Sequence, residues 1–159
     1  MKQIEQAQKE ETPIVYMDET GFQTSTERQY GWSFPGERIQ GYQCGQKRKM
    51  SNLMGGYMDN KLIAPYLFQE SCNAVIFNGW LKTHLLPRLS PGTIIVLDNA
   101  RFHKTTETEE LVKQANCCLL FLPPYSPHLN PIEKLWGNMK NFRRNNADLS
   151  LDEIVENYH

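Results

Sequence analysis

The stretch Thr93-Ile94-Ile95-Val96-Leu97-Asp98 decides the fold class. Its apolar run follows the turn pair Pro91-Gly92 and ends at a carboxylate, a pattern that predicts a buried strand. Helical patterns flank this strand at 73–87 and 104–115, and another strand is predicted at 117–122. Strands that alternate with helices predict an α/β domain with a mixed sheet.

The N-terminal half predicts a meander of strands before this alternation begins. Ile14–Met17 predicts a buried strand that ends at Asp18, with Gly21 turning the chain. Residues 22–40 predict a strand followed by an irregular loop. A hairpin comes next, because a turn-forming pair separates two apolar runs; it comprises 49–58, Asp59-Asn60 and 62–68.

Length and composition fit one globular domain. The chain has 159 residues, 40% hydrophobic and 22% charged, and roughly 100–200 residues is usual for a domain. No apolar run reaches the roughly 18 residues that span a bilayer, and the N-terminus lacks the apolar core of a signal peptide. We therefore expect a cytoplasmic protein with no membrane partner. The chain has four cysteines, Cys44, Cys72, Cys117 and Cys118, and no two of them form a C-x-x-C pair. The sequence therefore gives no sign of a structural zinc site.

Charge is unevenly distributed along the chain. The formal net charge is −1, but acidic ends (1–20 and 148–159) enclose two basic stretches (27–49 and 134–147). Lysine and arginine bind phosphates without sequence specificity, wherever they come within reach. The near-neutral total therefore does not exclude a polyanionic partner.

Three carboxylates stand at the ends of predicted elements. Asp18 and Asp98 each follow a strand, and Glu133 lies in the first turn of a helix predicted over 130–145. Catalytic groups and ligands gather at the carboxyl ends of buried strands. Three carboxylates brought together repel unless cations neutralise them, and hard oxygen ligands suit Mg²⁺ or Mn²⁺. Two such ions would promote an in-line displacement at phosphorus.

Each carboxylate taken singly also has a structural interpretation, which is then the favoured one. Asp18 and Asp98 fit turns after strands, and Glu19 is expected to be solvated. Glu133 fits a helix cap. With Asn130 at the N-cap, Pro131 at the first helical position and Glu133 at the third, these residues make an asparagine variant of the capping box. Only the three acids together, with their neighbouring residues, favour a site.

Those neighbouring residues form three motifs: Met17-Asp18-Glu19-Thr20-Gly21-Phe22, Val96-Leu97-Asp98-Asn99-Ala100-Arg101-Phe102-His103-Lys104, and Leu122-Pro123-Pro124-Tyr125-Ser126-Pro127-His128-Leu129-Asn130-Pro131-Ile132-Glu133-Lys134-Leu135-Trp136. Together they closely resemble the mariner superfamily of DDE transposases, with its bacterial insertion-sequence branch nearest. Asp98 and Glu133 are separated by thirty-four residues, a spacing that the superfamily uses. The segment Gly31–Arg38 resembles the branch's stretch after the first strand, and the likeness covers about residues 13–145.

The resemblance implies a ribonuclease-H-like fold, in which helices flank a central mixed β-sheet. It implies that Asp18, Asp98 and Glu133 are the catalytic, metal-binding triad, with two Mg²⁺ ions expected and Mn²⁺ as a substitute. The implied reaction is hydrolysis of phosphodiester bonds at transposon ends, followed by attack of the freed 3′-hydroxyl on target DNA, usually at TA. Asn99 and His103 match family positions near the site, where they would orient a carboxylate or touch a phosphate. For His103, a cap on the following helix is the alternative.

The basic stretches supply the candidate DNA contacts, although a solvated helix face is the alternative for the second of them. These residues are Arg28, Trp32, Arg38, Lys47, Arg48, Lys49, Lys140, Arg143 and Arg144. The 31–38 loop resembles a segment that in relatives reaches the partner subunit or its DNA, which favours a homodimer. The stripe of Ile132, Leu135, Trp136 and Met139 falls at helical spacing, so Trp136 is expected in the core.

The sequence thus predicts a polar, solvated and partly helical lead-in (1–12), a ribonuclease-H-like DDE catalytic domain (13–147) and an acidic, helical C-terminal segment (148–159). The helix-turn-helix modules usual in the superfamily are not predicted here, so a separate helix-turn-helix polypeptide would read the transposon ends, unless the chain is a catalytic fragment. We expect the protein in the bacterial cytoplasm, associated with the nucleoid when bound to DNA. The alternatives are a general ribonuclease-H-like nuclease and an inactive transposase remnant that serves as an interaction domain.

Overall fold

A computed structural model describes residues 2–23, 50–124 and 126–158. In chain order its helices and strands are α1 (Lys2–Lys9), β1 (Ile14–Gln23), β2 (Met50–Met58), β3 (Lys61–Phe68), α2 (Ala74–Trp80), β4 (Ile94–Leu97), α3 (Thr106–Gln114), β5 (Cys118–Phe121), α4 (Ile132–Asn145) and α5 (Leu151–Glu156). Helix α2 continues through a wider π-helical turn at Leu81–Leu85 and a 3₁₀ turn at Leu86–Arg88. Among these described helices, none has the length and apolarity needed to cross a bilayer.

The five strands form one mixed sheet in the order β3-β2-β1-β4-β5. Strands β1, β2 and β3 are an antiparallel meander, whereas β4 and β5 run parallel to β1. The predicted hairpin is confirmed: Asp59 and Asn60 have φ angles of 51° and 63°. Positive φ at both central residues is the requirement of a type I′ turn, whose twist matches that of the two strands.

Strand β1 is longer than the sequence predicts, and the expected end at Asp18 and turn at Gly21 are wrong. Its antiparallel pairing with β2 continues through Gly21 to Gln23. A Cβ atom on Gly21 would meet only side-chain atoms, Cε of the exposed Met50 at 2.8 Å and Oδ1 of Asn52 at 3.4 Å, and Gly21 pairs with Asn52 within the ladder. The parallel pairing of β1 with β4 ends earlier, at Tyr16 and Val96.

Alternate residues of the sheet pack against two helical layers. On one face Met17 and Leu97 belong to a core cluster with residues of α2 and α3, and on the other face Phe22 packs with residues of α4 and α5. Trp136 is 1% exposed and lies in the second cluster. Its predicted core position, as opposed to a base-stacking one, is confirmed.

The N-terminal residues are not wholly solvated, which corrects that expectation. Ile4 and Ala7 on α1 are buried, and Ile4 packs against Val96 and Leu122. At the other end of the chain, α5 begins with a capping box and buries Ile154 against the cluster that contains α4. The domain boundaries at residues 13 and 147 stay predictions.

Candidate active site

The register of the parallel strands brings two of the predicted acids together. Tyr16 on β1 pairs with Val96 on β4. Asp18 and Asp98 therefore each stand two residues beyond this last pair, on neighbouring strands. Because side chains alternate along a strand, both carboxylates belong to the face opposite Met17 and Leu97.

The third acid reaches the same place from α4. The amide nitrogen of Asn130 donates a hydrogen bond of 3.4 Å to the carbonyl oxygen of Met17, which ties the start of α4 to β1 beside Asp18. Asp18, Asp98 and Glu133 all line one cleft of about 450 Å³, together with Asn99, Pro123 and Pro124. Three acids from distant parts of the sequence thus share one cleft.

The predicted capping box at the start of α4 is wrong. Pro131 occupies the N-cap position, and no side chain caps the helix. The side chain of Asn130 is buried and hydrogen-bonded to β1 instead. Glu133 is exposed and lines the cleft, so capping does not explain its position.

The prediction that Asp18 and Asp98 lie in turns is wrong for Asp18 and confirmed for Asp98. Asp18 lies within β1, paired with Gly55 of β2, so it does not belong to a turn. Asp98 follows β4, and its Oδ1 accepts a hydrogen bond of 3.0 Å from the backbone nitrogen of Ala100. Asp98 therefore does shape a local turn, while it also lines the cleft.

The environments of the two aspartates shift their pKa values in opposite directions. Burial raises the pKa of Asp18 to about 7, and the nearby charges of Glu19 and Glu133 add to this effect. The pKa of Asp98 is lowered, first by the hydrogen bond from His103 and also by the one from Ala100. At neutral pH one carboxylate of the cleft is thus ionised while its neighbour is partly protonated.

His103 is fully buried and contacts two carboxylates. Its Nδ1 lies 2.8 Å from Oδ1 of Asp98, and its Nε2 lies 3.7 Å from Oε2 of Glu19. The alternative role as a cap of α3 is wrong, because Thr105 is the N-cap and its hydroxyl accepts from the backbone nitrogen of Thr108. Of the two predicted contacts, carboxylate or phosphate, the structure places a carboxylate beside His103.

Glu19 is the residue near the site that the sequence analysis missed. Its side chain is only 26% exposed, whereas we expected it to be solvated. Burial raises its pKa, although the charge of His103 acts in the opposite direction. The burial of Glu19 follows if β1 is predicted to continue past Asp18. Successive side chains of a strand point to opposite faces, so Glu19 then lies on the face covered by α2 and α3.

The carboxylates suit a hard cation by their chemistry. Within the described residues no three His, Cys, Asp or Glu side chains are arranged closely enough to hold a metal ion. The charges of Glu133 and Asp98 nevertheless both raise the pKa of Asp18, so Asp18 is repelled by each of the other two acids. Oxygen ligands of this kind are those that Mg²⁺ and Mn²⁺ prefer.

The candidate DNA contacts divide between two parts of the chain. Those in the first basic stretch, Arg28, Trp32, Arg38, Lys47, Arg48 and Lys49, lie outside the described residues. In the second stretch, Lys140 Nζ and Arg143 Cζ lie 5.9 Å and 5.7 Å from the centre of the Phe22 ring. Lys140 and Arg144 are exposed on α4, the helix that carries Glu133.

The fold and the site together define a ribonuclease-H-like domain with an acidic cleft at the ends of its parallel strands. A family model described as a DDE superfamily endonuclease matches residues 13–154. The chain therefore belongs to the DDE superfamily endonucleases, which confirms the DDE family that the three motifs indicated, while the bacterial insertion-sequence branch stays a prediction.

Solved structures of the Mos1 mariner transposase are similar in fold. Its catalytic domain has a TM-score of 0.63 at 17% identity, over 97% of this chain and 72% of that one. The Mos1 paired-end complex with Mg has a TM-score of 0.69 at 22% identity, over 87% of this chain and 45% of that one. The Mos1 strand transfer complex has a TM-score of 0.68 at 21% identity, again over 87% of this chain and 45% of that one. The ribonuclease-H-like fold is thereby confirmed.

A shorter sequence match comes from a bacterium. An uncharacterized protein, y4pE/y4sA of Sinorhizobium fredii strain NBRC 101917 / NGR234, is 40% identical over 63 residues, which are 39% of this chain and 44% of that protein. The chain thus spans less than half of this relative and of the longer Mos1 chains.

Proposed function

We propose that this chain is the catalytic part of a transposase, which cleaves DNA at transposon ends and joins the freed 3′-hydroxyl to target DNA. The observation that carries the proposal is the convergence of Asp18, Asp98 and Glu133 on one cleft. The fold shared with the Mos1 strand transfer complex supports it, as does membership of the DDE superfamily endonucleases. We further propose TA as the target dinucleotide, following the family resemblance.

Asp18, Asp98 and Glu133 would hold Mg²⁺ or Mn²⁺, and we propose two ions. When bound, such ions would activate the attacking group, water for cleavage and the 3′-hydroxyl for joining, and would stabilise the leaving oxygen at phosphorus. Burial is the main cause of the raised pKa of Asp18, and the charges of Glu133 and Asp98 add to it; a bound cation would offset this unfavourable charge. Mos1 complexes containing Mg and Mn are consistent with it.

The other residues of the cleft would prepare it for a phosphodiester. The hydrogen bond from His103 orients the Asp98 carboxylate and favours its ionised form. Asn130 fixes the start of α4 against β1, and so fixes the position of Glu133. Pro123 and Pro124 form one wall of the cleft, and their fixed φ angles make that wall rigid.

DNA is the proposed partner, and phosphate contacts from Lys140, Arg143 and Arg144 would extend the binding surface along α4. Recognition of the terminal repeats would reside in helix-turn-helix modules, either elsewhere in a longer chain or on a separate polypeptide. We also propose a homodimer, so that two transposon ends are held together. The complex would act in the bacterial cytoplasm, on nucleoid DNA.

The test is a cleavage assay on an end-labelled duplex that carries the element's terminal repeat, with the DNA-binding part supplied. Reactions contain Mg²⁺, Mn²⁺ or EDTA. We expect metal-dependent nicking at the repeat end that Asp98→Ala and Glu133→Gln abolish. Asp148→Ala, which removes an exposed carboxylate, is the matched control and should cleave normally.

The products separate the proposal from its alternatives. Joining of the nicked 3′ end to a supercoiled target plasmid indicates a transposase, whereas nicking without joining indicates a nuclease. No cleavage with the DNA-binding part present would indicate an inactive remnant and overturn the proposal. Cleavage by Asp98→Ala at the normal rate would overturn the assignment of the triad.

A further inference from the structure

Glu19 and His103 face each other inside the protein, on the far side of β1 from the cleft. Asp18 and Glu19 are consecutive in β1, so their side chains leave opposite faces of the sheet. Glu19 does not line the cleft that contains Asp18. Its Oε2 lies 3.7 Å from Nε2 of His103, and both atoms are buried without a hydrogen-bond partner among the described residues. Each is therefore the polar neighbour available to the other.

Aromatic neighbours confine the His103 ring. The ring centre lies 4.5 Å from that of Phe77 and 4.2 Å from that of Phe102, and the residue is fully buried. Packing of this kind fixes the plane of the ring, but a half-turn about the Cβ–Cγ bond would leave the plane unchanged. Polar partners must therefore decide which edge of the ring faces Asp98.

The half-turned ring would lose both polar contacts. Nδ1 would leave Oδ1 of Asp98, to which it now donates over 2.8 Å, and a ring carbon would take its place. Nε2 would likewise move away from Glu19. A buried ring nitrogen that loses its hydrogen bond is unfavourable, so Asp98 selects this orientation through Nδ1, and Glu19 adds the attraction of its charge for Nε2.

We propose that Glu19 is a positioning residue, which holds His103 in the orientation that presents Nδ1 to Asp98 and thereby fixes the Asp98 carboxylate in the cleft. A chain of contacts, Glu19–His103–Asp98, connects the layer of α2 and α3 to the candidate metal ligands. The inference rests on the proposed function, because it takes Asp98 as a ligand of the divalent ion. Residues that orient metal ligands change metal affinity or activity by about 10–100-fold when they are mutated.

The first measurement is the affinity for Mn²⁺, followed by the electron paramagnetic resonance signal of the free ion. We expect Glu19→Ala to weaken binding about 10–100-fold. Glu19→Gln keeps a polar oxygen beside Nε2 but removes the charge, so it should weaken binding less than Glu19→Ala does. Glu110→Ala removes the same charge from an exposed position on α3 and should bind normally. Normal binding by Glu19→Ala would overturn the proposal.

A double-mutant cycle then tests whether Glu19 acts through His103. His103→Leu fills the buried space without polar atoms and should weaken Mn²⁺ binding. Adding Glu19→Ala to His103→Leu should weaken it no further, because the connecting ring is gone. Effects that add fully would mean that Glu19 acts on the ion directly or by long-range charge, and would overturn the proposal.

A second readout needs no metal and applies even where His103→Leu fails to fold. Ring ¹⁵N resonances of labelled histidine report the surroundings of each ring nitrogen, and those of His103 are identified by their loss in His103→Gln. Glu19→Ala should shift the His103 resonances, and Glu19→Gln should shift them less. Resonances that Glu19→Ala leaves unchanged would contradict the proposed contact.

Asp98→Ala distinguishes failure of the inference from failure of the proposed function. Where Asp98→Ala abolishes Mn²⁺ binding and Glu19→Ala leaves it unchanged, the inference alone is wrong. Where Asp98→Ala binds Mn²⁺ normally, the assignment of the metal ligands is wrong, and the inference falls with it.

Discussion

Asp18 on β1 lies directly opposite Gly55 on β2. A Cβ atom on Gly55 would stand 2.6 Å from Cδ1 of Leu62 and 3.5 Å from Cη2 of Trp136. The missing side chain therefore makes room for Leu62 of β3, while the Trp136 ring lies at ordinary van der Waals distance from the same point. Trp136 lies one helical turn from Glu133 on α4, so the residue paired with Asp18 also borders the helix that carries Glu133.

Gly55→Ala should destabilise the fold, because the added methyl group overpacks a buried site. We expect a loss of about 1–3 kcal/mol in the free energy of unfolding, measured by urea denaturation. Gly137→Ala is the matched control on α4, where a Cβ would meet no atom within 4 Å. That variant should gain about 0.5–1 kcal/mol from helix propensity. Equal stability of the Gly55 variant and the unaltered protein would contradict close packing of Leu62 against Gly55.

Asp18→Asn should stabilise the metal-free protein above neutral pH. The pKa of Asp18 is about 7 in the folded state, raised from 3.8. The folded chain thus holds a proton that the unfolded chain releases, and stability falls as pH rises from about 4 to about 7. The amide has no charge to lose, so its melting temperature should exceed that of the unaltered protein at pH 8 in EDTA.

At pH 4 the same two proteins should differ little, because Asp18 is then protonated in the folded state. Asp148→Asn removes an exposed carboxylate and should show no such dependence on pH. If the melting temperatures of Asp18→Asn and the unaltered protein differ equally at pH 4 and pH 8, the pKa of Asp18 is not raised in the folded state.

The sequence predicts those parts of the fold that depend on local patterns. Strands β4 and β5 are short apolar runs, and the β2–β3 hairpin is marked by Asp59-Asn60, whose side chains tolerate positive φ. The length of β1 is not a local property. It follows from pairing with β2, whose residues come more than twenty-five positions later in the chain, and the polar run after Met17 gives no apolar signal for it.

The candidate site likewise has features that local sequence patterns predict and others that depend on contacts between distant residues. Motifs identify Asp18, Asp98 and Glu133, because their chemistry and spacing are visible in the sequence. Asn130 fits a helix cap by its position, but the structure uses its side chain to bind β1, a contact between residues 113 positions apart. The burial of Glu19 likewise depends on the layer of α2 and α3 that covers it.

Asn78→Ala should destabilise the layer that carries His103. The side chain of Asn78 is buried and donates to the Thr105 hydroxyl over 3.2 Å and to the Glu107 carboxylate over 2.8 Å. Its oxygen accepts from the Thr108 hydroxyl over 2.7 Å. Truncation leaves buried groups unpaired, so we expect a loss of about 2–3 kcal/mol in urea denaturation.

Asn73→Ala is the comparison for Asn78→Ala. Asn73 caps α2 from an exposed position, accepting from the backbone nitrogens of Val75 and Ile76, and loss of an N-cap weakens stability by about 1 kcal/mol. An Asn78 variant no less stable than the Asn73 variant would show that the buried network contributes little.

Lys140→Ala should lower the affinity for DNA and should also make that affinity less dependent on salt concentration. Lys140 follows Glu133 by seven residues on α4, so the two side chains lie on the same side of the helix, about 10 Å apart along its axis. A strand whose phosphate enters the cleft can therefore also reach Lys140. Loss of one phosphate contact reduces the slope of log K against log salt by about 0.9.

The measurement is fluorescence anisotropy with a labelled duplex at several salt concentrations, using the full chain. The loss of affinity should be similar for unrelated DNA sequences, because phosphate contacts do not read bases. Lys82→Ala removes an exposed lysine from the π-helical turn after α2 and should leave both affinity and slope unchanged. If the two variants bind alike, α4 does not follow the DNA backbone, and the binding surface lies elsewhere around the cleft.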